Sequence, residues 1–387
     1  MSEMSYMENQ LDGVEVEWKA LGEVVNIKTG AAVSKDLIAA NPGNFPVINS
    51  GKEPLGYIDQ WNTENDPIGI TTRGAGVGSV TWQEGKYFRG NLNYSVSIKD
   101  EGKLHVRFLY HLLHHMQRDI QALCTFDGIP ALNAGNLKQL KVPIPCPEDP
   151  KKSFEIQSEI ARILDTFTEL TTELTTELTN RKKQYNHYRD QLLSFEDREV
   201  EWKALGELTR ILRGRRLTKT QLSAAEKNPV YHGGLEPLGF YQDFNRPANS
   251  VMVINVGASA GTVGYSPVDF WSSDGCFCLE YSAQINSRYL YYALIGMQHL
   301  LRSKVRVAGI PTLDAIILEN LKIPIPFPNN PEKSKAEQAR IVAILDKFDT
   351  LTHSISEGLP REIELRQKQY EHYRNLLLNF TKPKDAA

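Results

Sequence analysis

Three histidines are the first residues whose types and spacing could do chemistry. His111, His114 and His115 stand at i, i+3 and i+4, which on one helix face could hold a metal ion. The second copy of this region, described below, has Tyr292, Ile295 and Gly296 at those places, so a solvated or half-buried helix face is the better expectation. The stretch "RGAGVGSV" (residues 73–80) is the loop best suited to cradle a phosphate. Its spacing is GxGxG rather than GxGxxG, and no GK(S/T) occurs anywhere in the chain. An amino-methyltransferase would carry an (N/D)PP(Y/F) tetrapeptide, and both "NPGN" (41–44) and "NPVY" (228–231) lack the second proline. Cys276 and Cys278 would share one face of a strand with no second pair nearby, as buried thiols do. A Tyr-x-His-Tyr-Arg sequence occurs twice, at 185–189 and 370–374, but its tyrosines fit a helical packing seam. No catalytic or metal-ligating set emerges.

The elements that must position any binding residues come in two copies. "EVEWKALGE" occurs at 15–23 and again at 199–207. "EPLGY" returns as "EPLGF", "GSVTW" as "GTVGY", "GIPALN" as "GIPTLD", and "LKVPIPCP" as "LKIPIPFP". "EIARILDTF" returns as "RIVAILDKF", and "KQYNHYRDQLLSF" as "KQYEHYRNLLLNF". The offset stays between 181 and 185 (128 to 309 at one extreme, 183 to 368 at the other), so the chain is a collinear twofold duplication.

Each copy has two parts. The first mixes Gly-rich turns with short apolar runs such as "DPIGITT" and "SVMVINV", the pattern of strands joined by turns. A helical stretch follows, which predicts an α+β domain closed by a proline-dense segment. The second part is a long helix. From Ile160 through Leu164, Phe167, Leu170, Leu174 and Leu178 to Tyr185, Tyr188 and Leu192 the apolar residues step by threes and fours. Forty such residues make a rod of roughly 60 Å. The later copy repeats the seam through Ile341, Leu345, Phe348, Ile355, Tyr370, Tyr373 and Leu377, with a break expected at Gly358 and Pro360.

These periods predict two tandem α+β domains joined by two long antiparallel helices in a pseudo-twofold, circular layout. The segments run 11–150 (domain one), 151–198 (central helix), 199–331 (domain two) and 332–381 (C-terminal helix). Joining Phe380 to Leu11 would close a ring, so the chain's ends are expected to meet near domain one.

Composition bounds the class. The 387 residues are 41% hydrophobic and 24% charged, with a formal net charge of −3, the range of a globular protein. No apolar run reaches the eighteen or so residues of a membrane span. The N-terminus has neither the basic start nor the apolar stretch of a signal peptide, and four cysteines without a CxxC fit a reduced, cytoplasmic protein.

The "IPIP…QxxIxxILDxF" transition into each helix, and the "TELTTELTTELT" tract at 168–179, resemble the specificity (S) subunit of Type I restriction–modification systems. The resemblance covers nearly the whole chain, and the tract resembles a tetrapeptide repeat found in one subclass. It implies that each domain is a target-recognition domain for one half of a bipartite site in double-stranded DNA. It also implies a helix pair that spaces the half-sites and docks two methyltransferase (M) subunits, with restriction (R) subunits joining the complex. Chemistry would then lie in the partners, S-adenosylmethionine with M, ATP and magnesium with R, and none in this chain.

On that reading the DNA-contacting candidates are loop cations and amides, since phosphate contacts position and base edges specify. Domain one offers Lys28, Lys35, Lys52, Arg73 beside the glycine loop, Arg89 and Asn93. Domain two offers Arg213, Arg215, Arg216 and Lys219, then Arg302, Lys304 and Arg306. His187, Arg189, His372 and Arg374 would point outward from the helices toward a protein partner. The shared "EPLG" and "G(S/T)V" elements suggest related half-sites. The alternative is a coiled-coil scaffold that presents two adaptor domains to proteins without binding DNA, which the slightly acidic total favours and the basic loops oppose.

Overall fold

The computed structural model describes residues 13–51, 53–195, 199–354 and 356–381. Leu11, Lys52 and the seam position Ile355 lie outside them.

Domain one runs β1 (Val16–Ala20), α1 (Leu21–Val24), β2 (Val25–Thr29), α2 (Lys35–Ala40), β3 (Pro42–Ile48), β4 (Tyr57–Ile58), β5 (Ile68–Thr71), β6 (Val80–Trp82), β7 (Phe88–Arg89) and β8 (Asn93–Ile98). Then come α3 (Val106–His115), α4 (Gln117–Ala122), α5 (Ala134–Gln139), β9 (Lys141–Pro145) and the long α6 (Pro150–Ser194). Domain two repeats this as β10 (Val200–Ala204), α7 (Leu205–Leu208), β11 (Thr209–Arg213), β12 (Asn228–Tyr231), β13 (Gly239–Tyr241), β14 (Ser250–Ile254), β15 (Val263–Ser266), β16 (Trp271–Ser272) and β17 (Cys276–Tyr281). It ends with α8 (Ser287–Gly296), α9 (Gln298–Ser303), α10 (Ala315–Glu319), β18 (Lys322–Pro326), α11 (Pro331–His353) and α12 (Gly358–Leu378).

The sheets match strand for strand. An antiparallel four-stranded sheet has the order β2-β8-β5-β6 in one domain and β11-β17-β14-β15 in the other. A three-stranded sheet, β4-β3-β7 or β13-β12-β16, has one antiparallel and one parallel neighbour pair. The proline-dense strands pair with the duplicated "VEWKA": Trp18 faces Pro143 and Trp202 faces Pro324. These ribbons have only two strands, so proline's missing N–H costs no interior ladder bond.

Each ribbon ends in a left-handed residue, Cys146 or Phe327, both at φ 48°. A capped helix follows: Asp149 Oδ1 accepts from Lys152 N at 3.0 Å, and Asn330 Oδ1 from Lys333 N at 3.0 Å. Proline comes next in both, at Pro150 and Pro331, where the absent N–H would be unpaired in any case.

By packing, the chain divides into two units. One holds residues 1–173 and 363–387, the other 174–362. The chain passes from the first to the second along α6 and returns along α11 and α12. Each unit is thus built from its own α+β domain, the start of the helix leaving it, and the end of the helix entering it. The seams agree. In the first unit Phe167 stacks on Tyr373 at 5.1 Å; in the second Phe348 stacks on Tyr188 at 5.4 Å. The chain's C-terminal stretch reaches domain one, where Trp18 Nε1 donates to Thr381 O at 3.1 Å and Phe380 meets Phe108 edge-on. Gly358, at φ 71°, begins α12 after the break that separates it from α11.

Candidate nucleic-acid interface

In domain two the cationic loops form one connected surface. Arg213, at the end of β11, donates from Nε to Asp274 O (3.3 Å), and Arg215 N donates to Ser272 O (2.9 Å). The same segment receives Asn255 N at Gly275 O (3.1 Å), which brings in the glycine turn after β14. That turn is tied in its own right to the "GIP" hairpin: Gly257 N donates to Pro311 O and Leu313 N to Asn255 O, each at 2.9 Å. The hairpin closes on itself through Arg306 and Thr312, which exchange backbone bonds of 2.9 and 3.0 Å. Arg302 reaches across from α9 to Thr262 Oγ1 at 3.1 Å. Glycines at positions 257, 261 and 309 all have φ above 80°, so these turns use backbone that L side chains resist.

Arg213, Arg215, Arg216, Lys219, Arg302, Lys304 and Arg306 are all exposed. None of them has a carboxylate partner among the described residues. Exposed loop cations without carboxylate partners attract a polyanion even where the chain's net charge is negative.

Domain one builds the same loops with other side chains. Gly74 N donates to Pro130 O (3.1 Å), Leu132 N to Thr72 O (2.9 Å), and Thr125 and Ala131 close the hairpin. Ala31 N bonds Arg89 O at 2.9 Å, the counterpart of Arg215 N on Ser272 O. Where domain two has Arg215, Arg216, Arg302, Lys304 and Arg306, domain one has Ala31, Ala32, Gln121, Leu123 and Thr125. Lys28, Lys35 and Arg73 are exposed, and Lys52 lies outside the described residues.

Two expected members of the DNA-reading set are misplaced. Arg89 is 3% exposed and Asn93 0%. Arg89 donates to Ile68 O (3.2 Å), Tyr94 O (3.1 Å), Asp66 O (2.6 Å), Asn93 Oδ1 (2.5 Å) and the Tyr87 hydroxyl. It is an internal brace between strands: both terminal nitrogens are spent on protein acceptors and the unpartnered Nε is buried, so none of its donors faces DNA. The stretch "FRGNLNY" reads as a polar loop, but β7 and β8 carry both side chains inward.

Of the four helix residues expected to point outward, the two arginines depart from expectation. His187 and His372 are exposed. Arg189 and Arg374 instead fold back over the seam, each with its guanidinium 5.5 Å from a tyrosine ring, Tyr185 or Tyr370. The histidines of α3 form no metal site: among the described residues no three His, Cys, Asp or Glu are grouped for one. His111 is buried, with Nε2 2.8 Å from Asp165 Oδ1. Cys276 and Cys278 are buried thiols, and burial pushes both pKa values up.

The residues that position each domain on its helix were not singled out from the sequence. Gln157 and Gln338, both fully buried, make the same bonds. Gln157 Oε1 accepts from His105 N (2.9 Å) and its Nε2 donates to Lys103 O (3.0 Å) and Ser153 Oγ (3.0 Å). Gln338 repeats this with Asn286 N (2.8 Å), Gln284 O (3.1 Å) and Ser334 Oγ (3.2 Å). Two turns on, Asp165 receives Arg107 Nε (2.9 Å) and His111, while Asp346 receives Arg288 (2.9 and 2.7 Å) and the Tyr292 hydroxyl (2.5 Å). Each arginine lies among aromatic rings, Arg107 4.1 Å from Trp82 and Arg288 4.6 Å from Tyr265. Burial alone would raise the Asp165 carboxyl, but hydrogen bonds from His111 and Arg107 outweigh it and hold the pKa down to about 2. The signal was present: a glutamine and an aspartate sit on the apolar stripe of both helices, where only a paired polar group is tolerated.

Comparison with known proteins agrees with this architecture. The profile of the Type I restriction modification DNA specificity domain matches the chain twice, at residues 13–183 and 198–365. The chain is similar to the Type I restriction enzyme EcoR124I/EcoR124II specificity subunit of Escherichia coli, at 37% identity over 100% of both chains. It is also similar to a putative type I restriction enzyme specificity subunit of Haemophilus influenzae, at 32% identity over 97% of this chain and 99% of the other. Among solved structures, the S subunit of a Type I restriction-modification system from M. genitalium shares the fold with a TM-score of 0.71 at 21% identity, covering 96% of this chain and 98% of that one. Two matched domains and full-length relatives leave one assignment: the chain belongs to the Type I restriction–modification DNA specificity family.

Proposed function

We propose that this chain reads a bipartite site in double-stranded DNA, one half with each domain, for a Type I restriction–modification complex. Its helices dock two methyltransferase subunits, with exposed His187 and His372 on the docking faces, and restriction subunits join the assembly in the cytoplasm. S-adenosylmethionine, ATP and magnesium belong to those partners, and this chain performs no chemical step. One observation carries the reading: the same connected loop surface recurs in both domains, and its exposed cations in domain two have no carboxylate partners. That surface also counts against the scaffold without DNA.

Arg213, Arg215, Arg216, Lys219, Arg302, Lys304 and Arg306 are the domain-two candidates for phosphate and base contacts; Lys28, Lys35 and Arg73 are those of domain one, with Lys52 retained from the sequence. Because the loop backbones match while Ala31 and Ala32 stand where Arg215 and Arg216 do, we infer unlike half-sites, against the expectation of related ones. The test is co-expression with the methyltransferase subunits of the same source, followed by single-molecule sequencing of host DNA for methylated adenine. Two different half-sites at a fixed gap support the reading. A stable complex that leaves DNA unmethylated sinks it.

A further inference from the structure

Each "GIP" hairpin carries a pair of large apolar side chains in the open. Phe126 is 63% exposed and Ile129 74%; their counterparts Val307 and Ile310 are 78% and 70%. Ordinary surfaces scatter such residues singly. Here two stand together on one tight turn, at the same place in both domains. Gly128 and Gly309 have φ of 94° and 86°, and an added Cβ would meet nothing within 4 Å. The glycines therefore serve the turn's backbone and not any packing around the tip. Backbone bonds to the glycine-rich turn, from Gly74 N to Pro130 O and Gly257 N to Pro311 O, hold the tips in place.

The surroundings say what covers them. Arg306 is part of the second hairpin and Lys304 precedes it, while Arg73 is bridged to Ala131 of the first. All three cations are exposed, and none has a carboxylate partner among the described residues. In domain two an apolar tip rimmed by free cations is complementary to base faces lying between phosphates; the domain-one tip has the same apolar pair with exposed Asp127 between them and Arg73 beside the hairpin. We propose that the two tips are wedges that enter the duplex beside each half-site and lie against a base step, a contact that tolerates sequence because every base has an apolar face. The cations of the rim hold the flanking phosphates. This rests on the DNA reading above and adds a role shared by both domains, distinct from their differing loop cations.

The test uses the full chain assembled with its methyltransferase subunits and a duplex carrying the methylated motif. Val307→p-benzoylphenylalanine and Phe126→p-benzoylphenylalanine are photolysed in separate complexes, and the adducts are mapped by mass spectrometry. DNA adducts confined to the half-site of the labelled domain are expected. An adduct to a methyltransferase peptide overturns the wedge, as does an absence of DNA adducts while the duplex stays bound. A Val307→Ser/Ile310→Ser chain should bind the duplex about tenfold more weakly, with the dependence of affinity on salt unchanged because no phosphate contact is lost. Unchanged affinity also overturns the proposal. An unsubstituted complex that shifts no duplex at all sinks the DNA reading itself.

Discussion

Gln157 and Gln338 show how much a single buried amide can hold. Each accepts from one backbone N–H and donates to one carbonyl of its domain. Truncation leaves buried backbone groups unpaired, a loss of about 1–3 kcal/mol. Gln157→Ala should lower hydrogen-exchange protection in α3 and leave α8 unchanged, and Gln338→Ala should do the reverse; equal loss in both helices would refute the local anchor. His111 predicts a second asymmetry. Burial lowers its pKa against the opposing pull of Asp165, with Arg107 and Arg374 lowering it further; burial also lowers His105 and His115 in the same unit. A histidine lowered in the folded state contributes stability that is present above the unfolded value of about 6.5 and is lost as pH falls below it. Asp165, held to about 2, adds a loss of the same sign only below about pH 4. The first unit should therefore lose exchange protection between pH 7.5 and 5.5 more than the second, which has Tyr292 at the place of His111. His111→Tyr should narrow that gap. Legibility at this scale was uneven: the cations at Arg215 and Arg306 are exposed as their composition suggests, whereas Arg89 turns inward because five acceptors converge on its strand.

At the scale of elements, α6 is the case where sequence and structure together make a sharp prediction. Between Leu164 and Tyr185 no side chain of the helix is buried. The "TELT" tract lies in that stretch, with threonine hydroxyls turned back on carbonyls four residues earlier, as in Thr172 to Thr168 O at 2.9 Å and Thr179 to Thr175 O at 3.0 Å. Removing four residues there disturbs no core. It shortens the helix by about 6 Å and rotates its end by about 40°. Deleting 172–175 should shorten the gap between methylated half-sites by one or two base pairs and leave both half-sites as they were. An unchanged gap in the methylation data would refute the helix as a ruler. The shared "EPLG" segments, by contrast, are turns of the three-stranded sheets: Leu55 N bonds Val47 O, and Leu238 N bonds Val230 O. Their likeness reports a common scaffold and says nothing of common bases.

For the whole molecule, a formal net charge of −3 conceals an uneven distribution in which domain two carries more of the free loop cations than domain one. DNA affinity should accordingly fall with rising salt. Arg215→Ala/Arg216→Ala should flatten the slope of log affinity against log salt by about 2 and relax only the half-site read by domain two. A slope that stays the same would remove both arginines from the interface. The first unit draws on two separated stretches of chain, 1–173 and 363–387, so the return of the C-terminal helix to domain one is a property of packing as well as of sequence. The bond from Trp18 to Thr381 O is its local signature.

The sequence by itself determined the duplication, the α+β class, the long helix with its proline-marked start, and the break at Gly358. Periodicity and backbone-restricted residues act locally, and a repeat is visible without any fold. Only the tertiary structure decided which polar residues face inward. Arg89, Asn93, His111, Gln157 and Asp165 are ordinary surface residues by composition. Arg89 and Asn93 are buried where neighbouring strands of the domain meet, whereas His111, Gln157 and Asp165 are buried or half-buried because partners more than fifty residues away along the chain arrive when the domain closes on its helix. Phe126, Ile129, Val307 and Ile310, which composition alone would have assigned to a core, stand exposed on the hairpin tips.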